Sequence, residues 1–532
     1  MELELVAGRI DQTAADAVVV NLFESVTSPG GATGAIDERM GGMISQVIEA
    51  GDFKGKLNEI LVLYPQGTGT ASLPARGEQE RQGGDTFAQS LTDGLPARRV
   101  LVVGLGKQED FKLDHVRQVA ATAVKRARDL GVQHMATIVH GAGMGGLEAR
   151  DAAQAVAEGS LLGLYRYREF QSTDDEDEQA ERDVDRLTVV EFDESKLSTL
   201  REGLSRGENI ATAVRWTRDL VNRPGNDLPP LALAEAATAM ASEAGLRCTV
   251  LDRDAIEAEG MGALLGVARG SREPPAFIVV EHEPDGTAEQ APLVLVGKGV
   301  TFDTGGTSIK PSSGMEEMKM DMAGGAAVLG AMSAIARLSL PPRVIGLVPA
   351  TENMPGGEAI RPGDILRALD GTTIEVINTD AEGRLILADA VAYAQRYNPA
   401  SIVDLATLTG ACLVALGGRV AGFMSNNADL AAEVRGAANA VAELAWELPV
   451  WDDVYKQELK SDVADIKNTG GRFGGAITGA MFIKRFAKDV PWLHLDIAGP
   501  AMGSEEQPYT PKGGTGYGVR TLVELARGRA TS

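Results

Sequence analysis

Apolar, β-branched runs that stop abruptly at glycines and acids alternate with longer stretches of helical periodicity along nearly the whole chain. Few architectures accommodate that rhythm. "ELELVAG", "AVVVNLF", "NEILVLYP" and "RRVLVVGLG" read as strands, and "HVRQVAATAVKRARDLG" has the period of a helix. "HMATIVHG" returns to strand, a helical stretch from about Leu147 to Tyr167 follows, and "RLTVVEF" ends the series. A further helical segment breaks at the Pro and Gly of "VNRPGNDLPP". The alternation then resumes with "PLVLVG", "RVIGLVPA", "TIEVIN", "SIVDLAT" and "PWLHLDIAG". At 532 residues the chain is too long for one ordinary core. The prediction is an α/β protein of two domains, each a mixed or parallel sheet flanked by helices. A smaller N-terminal domain spans 1–195, a connecting helix 196–222, and a larger domain 223–532.

Charge narrows the function classes. A formal net charge of −24 repels phosphate backbones and anionic lipid, so nucleic-acid and membrane binding are disfavoured. Much of the excess lies in "STDDEDEQAERDVD" (172–185), which reads as a solvated loop. No apolar run reaches the roughly 18 residues of a membrane span. "MELELVAGRIDQ" does not read as a signal peptide. Two cysteines, Cys248 and Cys412, give no disulfide framework, and a cytoplasmic location is the expectation.

Two glycine-rich segments carry different weight. "HGAGMGG" contains G-x-G-x-x-G at Gly141, Gly143 and Gly146, but no acid closes a second strand at the distance a dinucleotide site needs. A turn that needs Gly backbone freedom is the better reading. "VGKGVTFDTGGTSIKPSSGMEEMKMDMAGGAAVLGA" is richer. Lys298 and Asp303 flank a short loop as an apolar strand runs out, Lys310 follows, and Asp321 stands at the start of an Ala/Gly-rich helix. Asp380 and Glu382 likewise follow "TIEVIN". Open α/β sheets place ligands beyond the carboxyl ends of their strands, where these acids would converge. Unpaired, such carboxylates repel, whereas two divalent cations neutralise four of them, and oxygen donors suit Mg, Mn or Zn. The competing reading is a scatter of surface charges, with Asp321 a helix cap and "NTDAEG" a turn. The five histidines (His115, His134, His140, His282, His494) form no ligand pair, so a metal site here is carboxylate-dominated.

"VGKGVTFDTGGTSIKPSSGMEEMKMDM" and "NTDAEGRLILADA" resemble the signature segments of the M17 leucyl aminopeptidases, the cytosol aminopeptidase family. The likeness continues through "RDLVNRPGNDLPP", "ENMPGGEAIRPGDI", "DLATLTGA", "DIKNTGG" and "HLDIAG", over the whole second domain, and is weaker in the first. It implies that Lys298, Asp303, Asp321 and Glu382 hold the tighter of two divalent ions, manganese or zinc. Asp303, Asp380 and Glu382 would hold the more exchangeable one. Lys310 and Arg384 are the implied catalytic pair: Lys310 stabilises the tetrahedral intermediate, and Arg384 holds a bicarbonate that serves as general base beside a metal-activated hydroxide. Lys298 can ligate only as a neutral amine, which requires about 4–5 kcal/mol of differential stabilisation. Without the family it would read as a phosphate binder or surface charge, although "GK" here lacks the rest of a P-loop.

The substrates implied are peptides with a free N-terminus, and the side-chain pocket maps to Met318, Thr407, Gly410 and Ala498, with Leu408 positioning the peptide. Met315, Met318 and Met322 fall at helical spacing, where plain core packing competes with any binding role. The pocket implies preference for Leu-like residues, although Ala501 stands where some relatives carry a bulkier methionine. A homohexamer of two stacked trimers is also implied. Two other classes stay open: a DNA-binding module, against which the net charge argues, and a metal-dependent hydrolase of non-peptide substrates, which would not need the free amine.

Overall fold

The computed structural model describes residues 1–65, 94–143, 145–172 and 183–530. Most of the acidic run expected as a solvated loop (173–182) therefore lies outside the described residues. The chain divides into two compact units, 1–211 and 212–532, and the division falls inside one helix, Leu197–Asn222.

The first unit is built on a six-stranded sheet in the order β1-β6-β5-β2-β4-β3. Its strands are β1 (Glu2–Ala7), β2 (Ala17–Leu22), β3 (Ile60–Leu63), β4 (Val100–Gly104), β5 (His134–Thr137) and β6 (Arg186–Glu191). All pairings are parallel except β3 with the edge of β4. Alternate residues of β2, Val18 and Val20 against Val19, feed two separate cores, one on each face. Helices α1 (Leu113–Asp129) and α2 (Ala149–Gly163) cover one face. In the loop after β5, Gly141 and Gly146 have φ of +84° and +66°. A Cβ on Gly141 would lie 2.6 Å from the Phe111 ring, so this stretch is a tight turn that glycine alone fits.

The second unit begins in α3 (Leu197–Asn222) and holds a nine-stranded sheet. Its strands are β7 (Arg247–Leu251), β8 (Ala276–His282), β9 (Leu293–Gly297), β10 (Gly299–Asp303), β11 (Val344–Asn353), β14 (Ser401–Ala406), β15 (Ala421–Ser425), β16 (Ala445–Glu447) and β18 (Trp492–Asp496). The order is β16-β15-β18-β14-β9-β11-β8-β7, with β10 also paired to β11. Strands β18, β14, β9, β11 and β10 run parallel to one another, so their carboxyl ends lie along one edge of the sheet. Every residue of β9, β11, β14 and β18 is buried, as continuous apolar runs covered on both faces require. The covering helices α4 (Ala323–Arg337) and α5 (Gly383–Ala394) are buried nearly all round.

Three local expectations change. The short loop expected between Lys298 and Asp303 is instead strand β10, which extends the main sheet by pairing with β11. "TIEVIN" does not join the main sheet. Only Thr373–Glu375 is strand (β13), in a three-stranded sheet with β12 (Ile365–Arg367) and β17 (Ile466–Lys467). It pairs for only a few residues before the chain turns toward α5. Met315–Met322 forms a 3-10 stretch rather than a turn of α-helix. Its period of three stacks Met315, Met318 and Asp321, while Met322 alone of the stretch's four methionines is buried. Among the described residues, no helix is long and apolar enough to cross a membrane.

Candidate active site

The carboxyl edge of the sheet delivers the site. Lys298 follows the last residue of β9, Asp303 ends β10, Thr407 follows β14, and Asp321 is the penultimate residue of the 3-10 stretch before α4. Asp380 and Glu382 arrive from the turn between β13 and α5, and Arg384 is the second residue of α5. Segments far apart in sequence thus meet where open α/β sheets bind ligands.

Lys298 Nζ lies 2.7 Å from Asp321 Oδ2 and 2.8 Å from Glu382 Oε1, and donates to the Thr407 carbonyl at 3.0 Å. Lys310 Nζ lies 2.7 Å from Asp303 Oδ2 and 2.5 Å from Asp380 Oδ1. Asp303 Oδ1 accepts from Gly305 N and Asn353 Nδ2, both at 2.8 Å. Asp321 Oδ1 accepts the Thr407 hydroxyl at 2.6 Å. Lys298, Asp303, Asp321 and Glu382 are all buried.

Four carboxylates therefore face two ammonium groups, and the imbalance shows in their protonation. Burial, followed by like charges, raises Asp321 and Glu382 above the ordinary carboxylate range despite Lys298. Burial likewise raises Asp380, against the pull of Lys310. Burial would lower Lys298, but Asp321, Glu382 and Asp303 outweigh it and hold the amine above the lysine range. Lys310 is raised in the same way, Asp303 leading the carboxylates that outweigh burial. Glu382 Oε2 is buried and finds no hydrogen-bond partner among the described residues. Carboxylate oxygens of Asp303, Asp380 and Glu382 lie within 4.8 Å of one another. An under-neutralised set of oxygen donors with an orphaned buried oxygen fits divalent cations. Asp321 stands outside that triplet but shares Lys298 with Glu382.

Arg384 is buried. Its Nη1 donates to the Asn468 carbonyl at 2.9 Å, and its Nε finds no hydrogen-bond partner among the described residues. Burial lowers its pKa against the opposing charges of Glu382, Asp496 and Asp380. Of the pocket residues, Thr407 is buried against Asp321, and Met318 sits one 3-10 turn before Asp321. Leu408 and Ala498 both donate backbone N–H to Asp496, at 3.1 and 3.2 Å, and Gly410 opens helix α6 (Gly410–Leu416).

Sequence reasoning passed over three supporting residues. Asn353 donates to Asp303 and, at 3.1 Å, to the Thr379 carbonyl, which ties β10 to the Asp380 turn. Asn468 accepts from Ile377 N at 2.8 Å and donates to Asn378 O at 2.7 Å, so one side chain shapes "NTDAEG". Asp496 is the third. The signal available was a polar residue at the carboxyl end of a buried strand, for Asn353 in "VPATEN" and Asp496 in "HLDIAG".

Comparison with known proteins bears on what such a site does. The chain matches the cytosol aminopeptidase family, catalytic domain, over residues 215–523, and its N-terminal domain over 19–73 and 81–174. It is 45% identical over 494 residues to a probable cytosol aminopeptidase of Geobacter sulfurreducens, covering 92% of each chain. With that of Roseiflexus castenholzii it shares 43% over 528 residues, 99% of each. Among solved structures, a tomato leucine aminopeptidase mutant superposes with a TM-score of 0.83 at 34% identity, covering 99% of this chain and 96% of that one. The bottromycin maturation enzyme BotP in complex with Mn gives 0.80 at 34% identity, over 97% of this chain and 100% of that one.

Proposed function

Because the chain belongs to the cytosol aminopeptidase family, and is a peptide hydrolase of the aminopeptidase type, we propose that it releases Leu-like residues from the free N-termini of peptides. The gathering of Asp303, Asp321, Asp380 and Glu382 around two lysines that cannot neutralise them is the observation that carries this reading. Lys298, Asp303, Asp321 and Glu382 would hold one divalent ion, and Asp303, Asp380 and Glu382 a second, manganese or zinc. Bound there, the ions supply Lewis acidity at the scissile carbonyl and lower the pKa of an attacking water.

The chain's own residues do the rest. Lys298 serves as a neutral amine, giving up the proton it now holds against Asp321 and Glu382. Lys310 keeps its proton. With Asp303 and Asp380 otherwise compensated, its ammonium is available to the oxyanion that develops on the carbonyl. Arg384, anchored on Asn468 with Nε unpaired among the described residues, offers a planar fork that would hold bicarbonate, and that anion would supply a general base beside the metal site. Such an anion explains a site with no histidine placed as base. Met318, Thr407, Gly410 and Ala498 form the side-chain pocket, Leu408 positions the peptide, and a free α-amine suits a rim of carboxylates.

We place the enzyme in the cytoplasm as a homohexamer of two stacked trimers, which would admit short peptides and exclude folded proteins. Light scattering after size exclusion measures the assembly. The central test uses purified protein with added manganese. It should hydrolyse a leucine anilide and leave the N-blocked analogue intact, and inactivity on the free-amine substrate would refute the proposal.

A further inference from the structure

Two of the proposed pocket residues, Thr407 and Gly410, and the peptide-positioning Leu408 lie where the chain leaves β14, and a third pocket residue, Ala498, where it leaves β18. One buried carboxylate grips both exits. Asp496 is the last residue of β18 and stands in register with Ala406, the last of β14. Its side chain therefore sits beside the point where both segments turn out of the sheet. Oδ1 accepts from the backbone N–H of Leu408 (3.1 Å), Thr409 (3.4 Å) and Ala498 (3.2 Å). Oδ2 accepts the Thr409 hydroxyl at 2.6 Å. That hydroxyl in turn accepts from Cys412 N at 3.1 Å and caps α6. The gripped loop also lies near the proposed anion site. A Cβ on Gly479 of α7 (Gly475–Ala487) would stand 3.1 Å from Leu408 Cδ2 and 3.3 Å from Arg384 Nη2.

We propose that Asp496 is a positioning residue that sets side-chain specificity, fixing the width of the pocket by holding Leu408, Thr409 and Ala498 on one carboxylate. The inference rests on the pocket assignment made above. Asp496 touches neither metal-site carboxylates nor lysines in any of these contacts, so its loss should loosen the pocket without dismantling the acid cluster. Removing the carboxylate leaves buried N–H groups on two loops without their acceptor, and the loops relax apart. Close fit in a hydrophobic pocket discriminates by only about 10–200-fold for each methylene, so a looser pocket loses much of that.

Asp496→Asn keeps the shape but removes the charge and the second acceptor oxygen, and Thr409→Val removes the hydroxyl bond together with the cap on Cys412 N. With manganese present, kcat/KM would be measured on leucine and alanine anilides, beside metal content and hydrogen exchange of segments 407–412 and 497–501. The expected result for Asp496→Asn is a fall of about tenfold or more in the leucine-to-alanine ratio, unchanged metal content and faster exchange in both segments. Thr409→Val should shift the ratio the same way by less, and it decides the matter should Asp496→Asn not fold. An unchanged ratio, or equal losses on both substrates, overturns the inference. Wild-type protein inactive on both anilides would instead refute the aminopeptidase site itself.

Discussion

Lys298 lies flat against the backbone of Gly383, where an added Cβ would stand 2.6 Å from Cε and 2.7 Å from Nζ. The glycine is needed for that approach, because Gly383 begins an ordinary helix. Gly383→Ala should push the amine off Asp321 and Glu382 and destabilise the second unit by about 1–3 kcal/mol. Thermal unfolding and metal analysis together would show it, and full metal content at wild-type stability would contradict it. Asp380 differs, being half-buried and paired only with Lys310 among the cluster's cations. Asp380→Ala should leave the fold intact, lower metal content by about one ion and reduce activity more than the roughly 10–100-fold typical of an outer partner. The acids of the cluster were legible in the sequence because isolated charges at the ends of apolar runs are unusual. Asn353, Asn468 and Asp496 were not, because their work is hydrogen bonding to distant backbone, which leaves no periodic trace.

The orientation of α5 matters as much as its sequence, since it opens with Glu382 and Arg384. Asp389, fully buried on the same helix, accepts from Ala263 N and Leu264 N at 2.9 and 2.8 Å and from Leu369 N at 2.8 Å. Two of those amides belong to the first turn of the helix Gly262–Ala268, so Asp389 caps it from another element. Burial lifts the carboxyl to about 7, against the pull of the three amides. Asp389→Ala would strand these donors and should destabilise the unit by about 3 kcal/mol, read as an earlier urea midpoint. A midpoint within error of wild type would show the cap to be dispensable. At this scale the long apolar runs gave themselves away in the sequence. "GVTFD" did not, being short and glycine-led, and it became β10. "TIEVIN" has the alternation of a strand, but alternation does not say which sheet a strand joins. The methionine spacing of Met315–Met322 fits a period of 3.6 at one step and 3.0 at another, and the chain took the tighter helix.

For the molecule as a whole, two compact units make a single unfolding transition a poor expectation. The first unit carries its own acid sensitivity. His140 is fully buried, with Nδ1 2.7 Å from Asn21 Nδ2 and Nε2 3.3 Å from the Thr137 hydroxyl, and burial lowers its pKa to about 4. The imidazole thus stays neutral when folded but takes up a proton near pH 6.5 when unfolded. Its contribution is complete above about 6.5 and is lost as the pH falls toward 4, about 3 kcal/mol in all. His140→Gln should flatten stability across that window, and an unchanged slope would assign the acid lability elsewhere. The second unit has a different vulnerability, written into its strand order. β18 follows both β14 and β15 in sequence yet inserts between them. A ribosome-bound chain on which β18 has not yet emerged would present β14 as an unclosed, largely apolar border, primed to recruit a stranger's strand. Newly made molecules would then depend on a chaperone until β18 has emerged, and a peptidase on the ribosome before that point would be inert.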